Sequence, residues 1–168
     1  PGCSSSGDNN ETDVTGPVEI FFDGFESGIS TWVTTAVSGG NKWTASNVNP
    51  YQGSWHAQSQ PMSTSESASI LEKTISTSGY SNIKLSYYRR LIGLDIADEF
   101  GAKWWDGASW QIVEQTGSSS ANDASYILKE FLLPSSTNNN ANFKLRFECT
   151  AGAVSEFCRV DNVKLTSN

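Results

Sequence analysis

The chain is 168 residues long and 18.2 kDa, the size of one ordinary domain with a short appendage, which leaves no room for two full-sized enzyme domains. Charged residues make up 17%, below the usual quarter, while Ser, Thr and Asn number 26, 13 and 13, so solubility rests on neutral polar groups, as suits an extracellular β protein. A net charge of -7 and a pI near 4.6 exclude a nucleic acid or an anionic membrane surface as partner, because no basic stripe exists to release counterions. Six Trp, five Tyr and eight Phe beside a single Met can fill a sandwich core with some aromatic area left over for a surface.

Residues 1–17 carry three acids, no base and no aromatic, and cannot bury enough apolar surface to offset ordering entropy. They read as a disordered tether ahead of a folded domain over 18–168. Within the tether, Gly2-Cys3-Ser4-Ser5-Ser6-Gly7 resembles the start of a mature bacterial lipoprotein, which implies lipidation of Cys3 and an outer-membrane anchor; an interdomain linker is the other reading. The chain opens on Pro1 rather than Met, so an upstream leader or segment is expected to have been removed, and no run of about 18 apolar residues is present to span a membrane.

From Val18 onward the pattern repeats with a period near two and is punctuated by Gly, Asn, Ser and Pro, which predicts short antiparallel strands and no helix. The candidates are 18–22, 30–36, 41–46, 54–58, 68–75, 82–92, 98–105, 109–115, 125–133, 142–150 and 157–166. Eleven short strands in one domain imply an all-β fold of two antiparallel sheets packed face to face, a β-sandwich. Asp106-Gly107 between Trp105 and Trp110 reads as a hairpin turn, since glycine accepts positive φ without a Cβ clash. Cys149 and Cys158 sit at the facing ends of the last two strands, where a disulfide could clasp the loop; two reduced buried thiols are the alternative.

Catalytic motifs are scarce. There is one histidine, His56, and no HExxH, GxSxG, Walker loop or paired CxxC. Asp95, Asp98, Glu99 and Glu114 lie on or beside neighbouring strand candidates and could supply a glycosidase acid pair, with solvated acidic rims as the plainer reading. The segment Phe22-Asp23-Gly24-Phe25-Glu26-Ser27-Gly28 gathers two carboxylates and two glycines at a strand terminus, the hard-oxygen setting that Ca²⁺ requires. Asp161, set among apolar neighbours in the last strand, is costly unless paired or metal-bound; it either meets Glu26 at a metal, caps a turn or pairs with Arg159. Trp104 and Trp105 must point to opposite faces, so Trp105, Trp110 and Tyr88 could form a strip that stacks sugar rings, with Arg90 binding hydroxyls. Alternatively Trp105 and Trp110 are a cross-strand pair that only stabilises a hairpin.

Taken in order, F-D-G-F-E-S-G, N-K-W, Y-Q-G-S-W-H-A, W-D-G-A-S-W and V-D-N-V-K-L resemble MAM-like jelly-roll domains, especially the cleaved-adhesin and choice-of-anchor-J modules of bacterial surface proteins, and more distantly carbohydrate-binding modules. The resemblance spans about 18–166. It implies a jelly-roll topology of the galactose-binding or MAM-like type and a structural Ca²⁺ held by Glu26 and Asp161, with Asp23 as a further ligand. It also places Trp32, Trp43 and Phe25 in the core. The expected function is a non-catalytic adhesion or carbohydrate-binding module, secreted or at the cell surface, whose partner is a glycan or a cell-surface protein. Two alternatives remain: a small polysaccharide-degrading enzyme using Asp98 and Glu99, and a structural spacer of a surface assembly.

Overall fold

The computed structural model describes residues 16–36, 42–60, 67–117 and 121–168. Cys3 and most of the 1–17 tether lie outside the described residues. Eleven strands are formed: β1 (Val18–Asp23), β2 (Val33–Ala36), β3 (Lys42–Ser46), β4 (His56–Gln60), β5 (Ser67–Ile75), β6 (Ile83–Ile92), β7 (Glu99–Trp105), β8 (Trp110–Thr116), β9 (Ile127–Leu132), β10 (Phe143–Ala151) and β11 (Phe157–Ser167). One 3₁₀ turn, Ser135–Thr137, is the sole helical segment among the described residues, and no helix is long and apolar enough to cross a membrane.

The strands make two antiparallel sheets. The six-stranded sheet runs β3-β4-β11-β6-β9, with β1 also paired to β11; the five-stranded sheet runs β2-β5-β10-β7-β8. Strict alternation decides which side chains enter the core. In β10, Phe143, Leu145, Phe147, Cys149 and Ala151 are buried while the intervening residues are not. Phe147 sits at the centre, with its ring centroid 5.0 Å from Tyr87, 6.1 Å from Phe100, 6.2 Å from Trp32 and 6.5 Å from Trp43. Trp32, Trp43 and Phe25 are core residues, as expected.

Cys149 lies in β10 and Cys158 in β11, so their disulfide joins the two sheets through the core, with both residues fully buried. Closing so short a loop contributes on the order of 2 to 3 kcal/mol by chain entropy. The predicted hairpin at Gly107 is present, with φ of 103° and Asp106 N–H donating to the Ser109 carbonyl at 3.1 Å.

Two departures from simple alternation shape the rest. The chain leaves β6 in one sheet and enters β7 in the other, so these successive strands are not neighbours. In β11 a bulge falls between Asp161 and Lys164, with Asn162 at φ 46°; the extra residue lets both Val160 and Val163 face the core. The same point is where β11 exchanges β4 for β1 as its edge partner.

Candidate functional site

The opening turn is built by Asp23. Its Oδ1 accepts the Phe25 N–H at 2.7 Å and its Oδ2 accepts the Trp32 indole N–H at 2.8 Å, which holds Phe25 at φ 59° and drives its ring into the core. Glu26 then meets the loop before β4: its Oε1 accepts the Ser54 and Trp55 N–H groups at 2.9 and 3.0 Å. Gly53, at φ 67°, permits this approach, because a Cβ there would fall 2.2 Å from Glu26 Oε1. Asp161 holds the preceding part of the loop. Its Oδ2 accepts the Tyr51 and Gln52 N–H groups at 2.9 and 3.2 Å, and its Oδ1 accepts the Asn162 N–H at 2.7 Å. Two carboxylates thus pin one loop by its backbone.

Asp161 is fully buried, and burial pushes its carboxyl up to about 6, with the Glu26 charge adding to the rise while the three amide bonds oppose it. Neither Glu26 nor Asp161 forms an ion pair among the described residues, Arg159 included. The pair therefore holds negative charge without a protein cation, beside a cavity of about 170 Å³ lined in part by Gln52 and Asn162. This donor set suits a hard cation. Asp23 does not make a three-carboxylate cluster with them: among the described residues the grouping whose ligand oxygens all lie within 4.8 Å is Asp95, Asp98 and Glu156.

The expected aromatic strip is divided by the crossover after β6. Tyr88 and Arg90 lie on the outer face of the six-stranded sheet, whereas Trp105 and Trp110 lie on the outer face of the other sheet, Trp104 having turned into the core. Trp105 and Trp110 are register partners with centroids 5.4 Å apart, and the Arg146 guanidinium covers Trp110 at 3.7 Å. They form the cross-strand pair of the alternative reading. Tyr88 instead stacks on Tyr51, centroids 3.4 Å apart and 14° between planes. Tyr51 meets Tyr126 edge-on at 5.9 Å, and Tyr126 meets His56 edge-on at 6.2 Å.

Tyr51 borders two clefts. One, of about 490 Å³, is lined by Phe22, Tyr88, Gln52, Ser86, Asn162 and Lys164 among others; the second, of about 260 Å³, by Asn49, Pro50, Arg90, Ser125 and Tyr126. Tyr51 is 41% exposed and is the outer ring of the stacked pair. A larger cavity of about 760 Å³ opens between β8 and β9, but Ile112, Val113, Leu132 and Pro134 make much of its wall aliphatic, and Asp106 is already engaged by Ala108, Ser109 and Gln111. Tyr51 and Tyr126 were not among the sequence's candidate residues, although Tyr51 opens the Y-Q-G-S-W segment; Arg159, weighed there as a partner of Asp161, instead donates to Gln58.

The acid pair of the hydrolase alternative is not assembled for solvent. Asp98 is fully buried and accepts the Asp95 N–H at 2.8 Å, and Glu99 accepts the Gln115 amide. Glu114 joins an internal network, accepting the Tyr87 hydroxyl and pairing with Arg89 and Lys129, each at 3.0 Å. Burial, then the Glu114 charge, raises the Tyr87 hydroxyl far above its ordinary range.

Two antiparallel sheets with first and last strands side by side define a jelly-roll β-sandwich with carboxylates at the meeting of its terminal strands. Within that class the chain is similar to the K3 cleaved adhesin domain of Lys-gingipain from Porphyromonas gingivalis, at 16% identity and a TM-score of 0.67 over 91% of this chain and 100% of that one. It is similar also to a CBM61 module solved in complex with β-1,4-galactotriose (12%, 0.62, 86% and 94%) and to a CBM22 xylan-binding domain (14%, 0.58, 89% and 95%). At these identities the likeness establishes the fold. No family profile and no curated protein matches the sequence.

Proposed function

We propose that this chain is a non-catalytic extracellular module that captures carbohydrate on the outer face of its six-stranded sheet. The observation that carries the reading is Tyr51, a flat exposed ring fixed on Tyr88 and flanked by two clefts rich in amide and hydroxyl groups. Sugar rings present an apolar CH face to such a ring and hydroxyls to the polar rim. The buried disulfide suits an oxidising compartment, and a lipid on Cys3 would hold the module at a membrane surface. Similar folds that are named for galactotriose, xylan and adhesion support the same reading; capture of a cell-surface protein is the second one, favoured by the likeness to the adhesin domain. A glycan array on the purified chain tests it: binding that falls at least tenfold in Tyr51→Ala supports the site, whereas silence across neutral and acidic glycans overturns it.

Structural Ca²⁺ belongs to the same proposal. Glu26 and Asp161 would hold the ion, whose two positive charges offset the paired carboxylates, while Asp23 shapes the turn that presents Glu26. Because those carboxylates pin the loop that carries Tyr51, chelation is expected to lower the unfolding midpoint and weaken glycan binding together. Asp161→Ala should remove the effect of chelator; an unchanged wild-type midpoint refutes the ion.

A further inference from the structure

The four arginines fall into two kinds. Arg89 pairs with Glu114 at 3.0 Å and lies 3.7 Å from Asp123; Arg146 pairs with Glu72 at 2.8 Å and Glu148 at 3.3 Å. Arg90 and Arg159 have no carboxylate within ion-pair distance among the described residues, although acids outnumber bases 18 to 11 in the chain. They are also direct register partners across β6 and β11, on the outer face. Like charges placed opposite each other disfavour the sheet, and burial of an unpaired guanidinium adds to that cost. Arg159 is only 4% exposed. Burial lowers its pKa, and the Arg90 charge lowers it further.

Among the described residues each guanidinium is held at Nε alone: Arg90 Nε donates to the Asp123 carbonyl at 3.2 Å, and Arg159 Nε donates to Gln58 Oε1 at 2.8 Å. That anchoring orients both side chains and leaves the terminal amino groups of Arg90, which lines the cleft beside Tyr51, as a fork, the geometry that receives a carboxylate through two parallel bonds. Beside them lie further polar groups with no bond. Among the described residues the Tyr126 hydroxyl is buried without a partner, and both ring nitrogens of the fully buried His56 lack one at bonding geometry, although the Gln58 amide lies near. Buried polar atoms of this kind call for an explanation. The acids beside this cluster are already committed: Asp161 to the Tyr51, Gln52 and Asn162 amides, and the Asp123 carboxylate to the Leu91 amide with Arg89 at 3.7 Å.

We infer that the cleft of about 260 Å³ between Arg90, Tyr126 and Tyr51 takes the carboxylate of an acidic sugar, so that the glycan captured is a uronate polymer. The inference rests on the carbohydrate reading and specifies its substrate class. A sugar stacked on Tyr51 would carry its carboxylate toward Arg90, which lines this cleft, with the buried Arg159 guanidinium paired to it in register adding positive charge from behind. The net charge of -7 is no obstacle at contact distance, because charges beyond a Debye length of about 8 Å are screened at physiological salt.

The test is calorimetric titration of the full chain with polygalacturonate, alginate and glucuronoxylan, alongside fully methyl-esterified polygalacturonate, neutral galactan and a sulfated galactan. Expected are binding to at least one uronate polymer, at least tenfold weaker binding once the carboxyl is esterified, and loss of that preference in Arg90→Gln. Arg90→Lys keeps the charge but not the fork, and should restore only part of it. Arg90→Gln decides the matter, because Arg159 is buried and its substitution acts on folding as well. Binding to neutral galactan or to the esterified polymer with no preference for free carboxylates overturns the uronate assignment and leaves carbohydrate capture standing. A preference for the sulfated polymer alone overturns the carboxylate, and no binding to any polymer overturns both.

Discussion

The two outer faces of the sandwich both carry aromatic and arginine side chains, and they differ in whether those groups are satisfied. On the five-stranded sheet, Trp105 packs on Trp110, Arg146 covers Trp110, and Glu72, Glu148 and Lys103 close the charges around them. On the six-stranded sheet, Tyr51 is the exposed outer ring of its stack, and among the described residues two guanidiniums confront each other without an acid while His56 and Tyr126 bury polar atoms without a partner at bonding geometry. An exposed aromatic is therefore a poor guide to a binding face. Unmet hydrogen-bonding capacity beside an open ring is a better one, because a folded protein tolerates it only where something else supplies the partner.

The largest expected effect that separates the faces is a pH response. Burial, then the Arg159 guanidinium, lowers the His56 pKa from 6.5 to about 4, so in that interval the unfolded chain binds a proton that the folded chain does not. The His56 contribution is then complete above pH 6.5 and is lost, by up to about 3 kcal/mol, as pH drops toward 4, while the raised Asp161 carboxyl works in the opposite sense below pH 6. Denaturant titrations of wild type and His56→Gln between pH 7 and 4 should therefore diverge as pH falls, with wild type losing stability relative to the variant; parallel curves would remove His56 from the account. Cutting the link between the sheets comes next: Cys149→Ala with Cys158→Ala should cost on the order of 2 to 3 kcal/mol, read as a lower chemical-denaturation midpoint.

Smaller changes act on one face at a time. Gly53→Ala places a Cβ against Glu26 at positive φ and should cost on the order of 1 to 3 kcal/mol, with glycan binding reduced because the Tyr51 loop shifts. Trp110→Ala on the opposite face should cost about 1 kcal/mol through its cross-strand and cation–π contacts and leave binding on the glycan array unchanged. Loss of binding in Trp110→Ala would reverse the assignment of the two faces.

Much of the fold was legible from local pattern. The eleven strands fall close to the predicted stretches, the largest difference being at 30–36, where Trp32 belongs to a turn and β2 begins at Val33. The opposite orientations of Trp104 and Trp105 follow from the two-residue period alone. The carboxylates of the first and last strands were legible as a pair because terminal strands of this topology lie together, and β1 does pair with β11. The capping role of Asp23 was not legible, since a turn-capping acid and a metal-binding acid share the same sequence setting.

Period, turn chemistry and composition dictate an all-β, two-sheet sandwich with its hairpin and acids gathered near its ends, while the resemblance supplied the core places of Trp32, Trp43 and Phe25. Which sheet each strand joins was left to long-range pairing. The crossover from β6 to β7 separated Tyr88 from Trp105 and Trp110, the bulge at Asn162 set the side-chain phase after Asp161, and strands distant in the chain brought Arg159 opposite Arg90. These are pairings between residues far apart in sequence, and a pattern with a period of two residues says which face a side chain takes but not which neighbour it will find there.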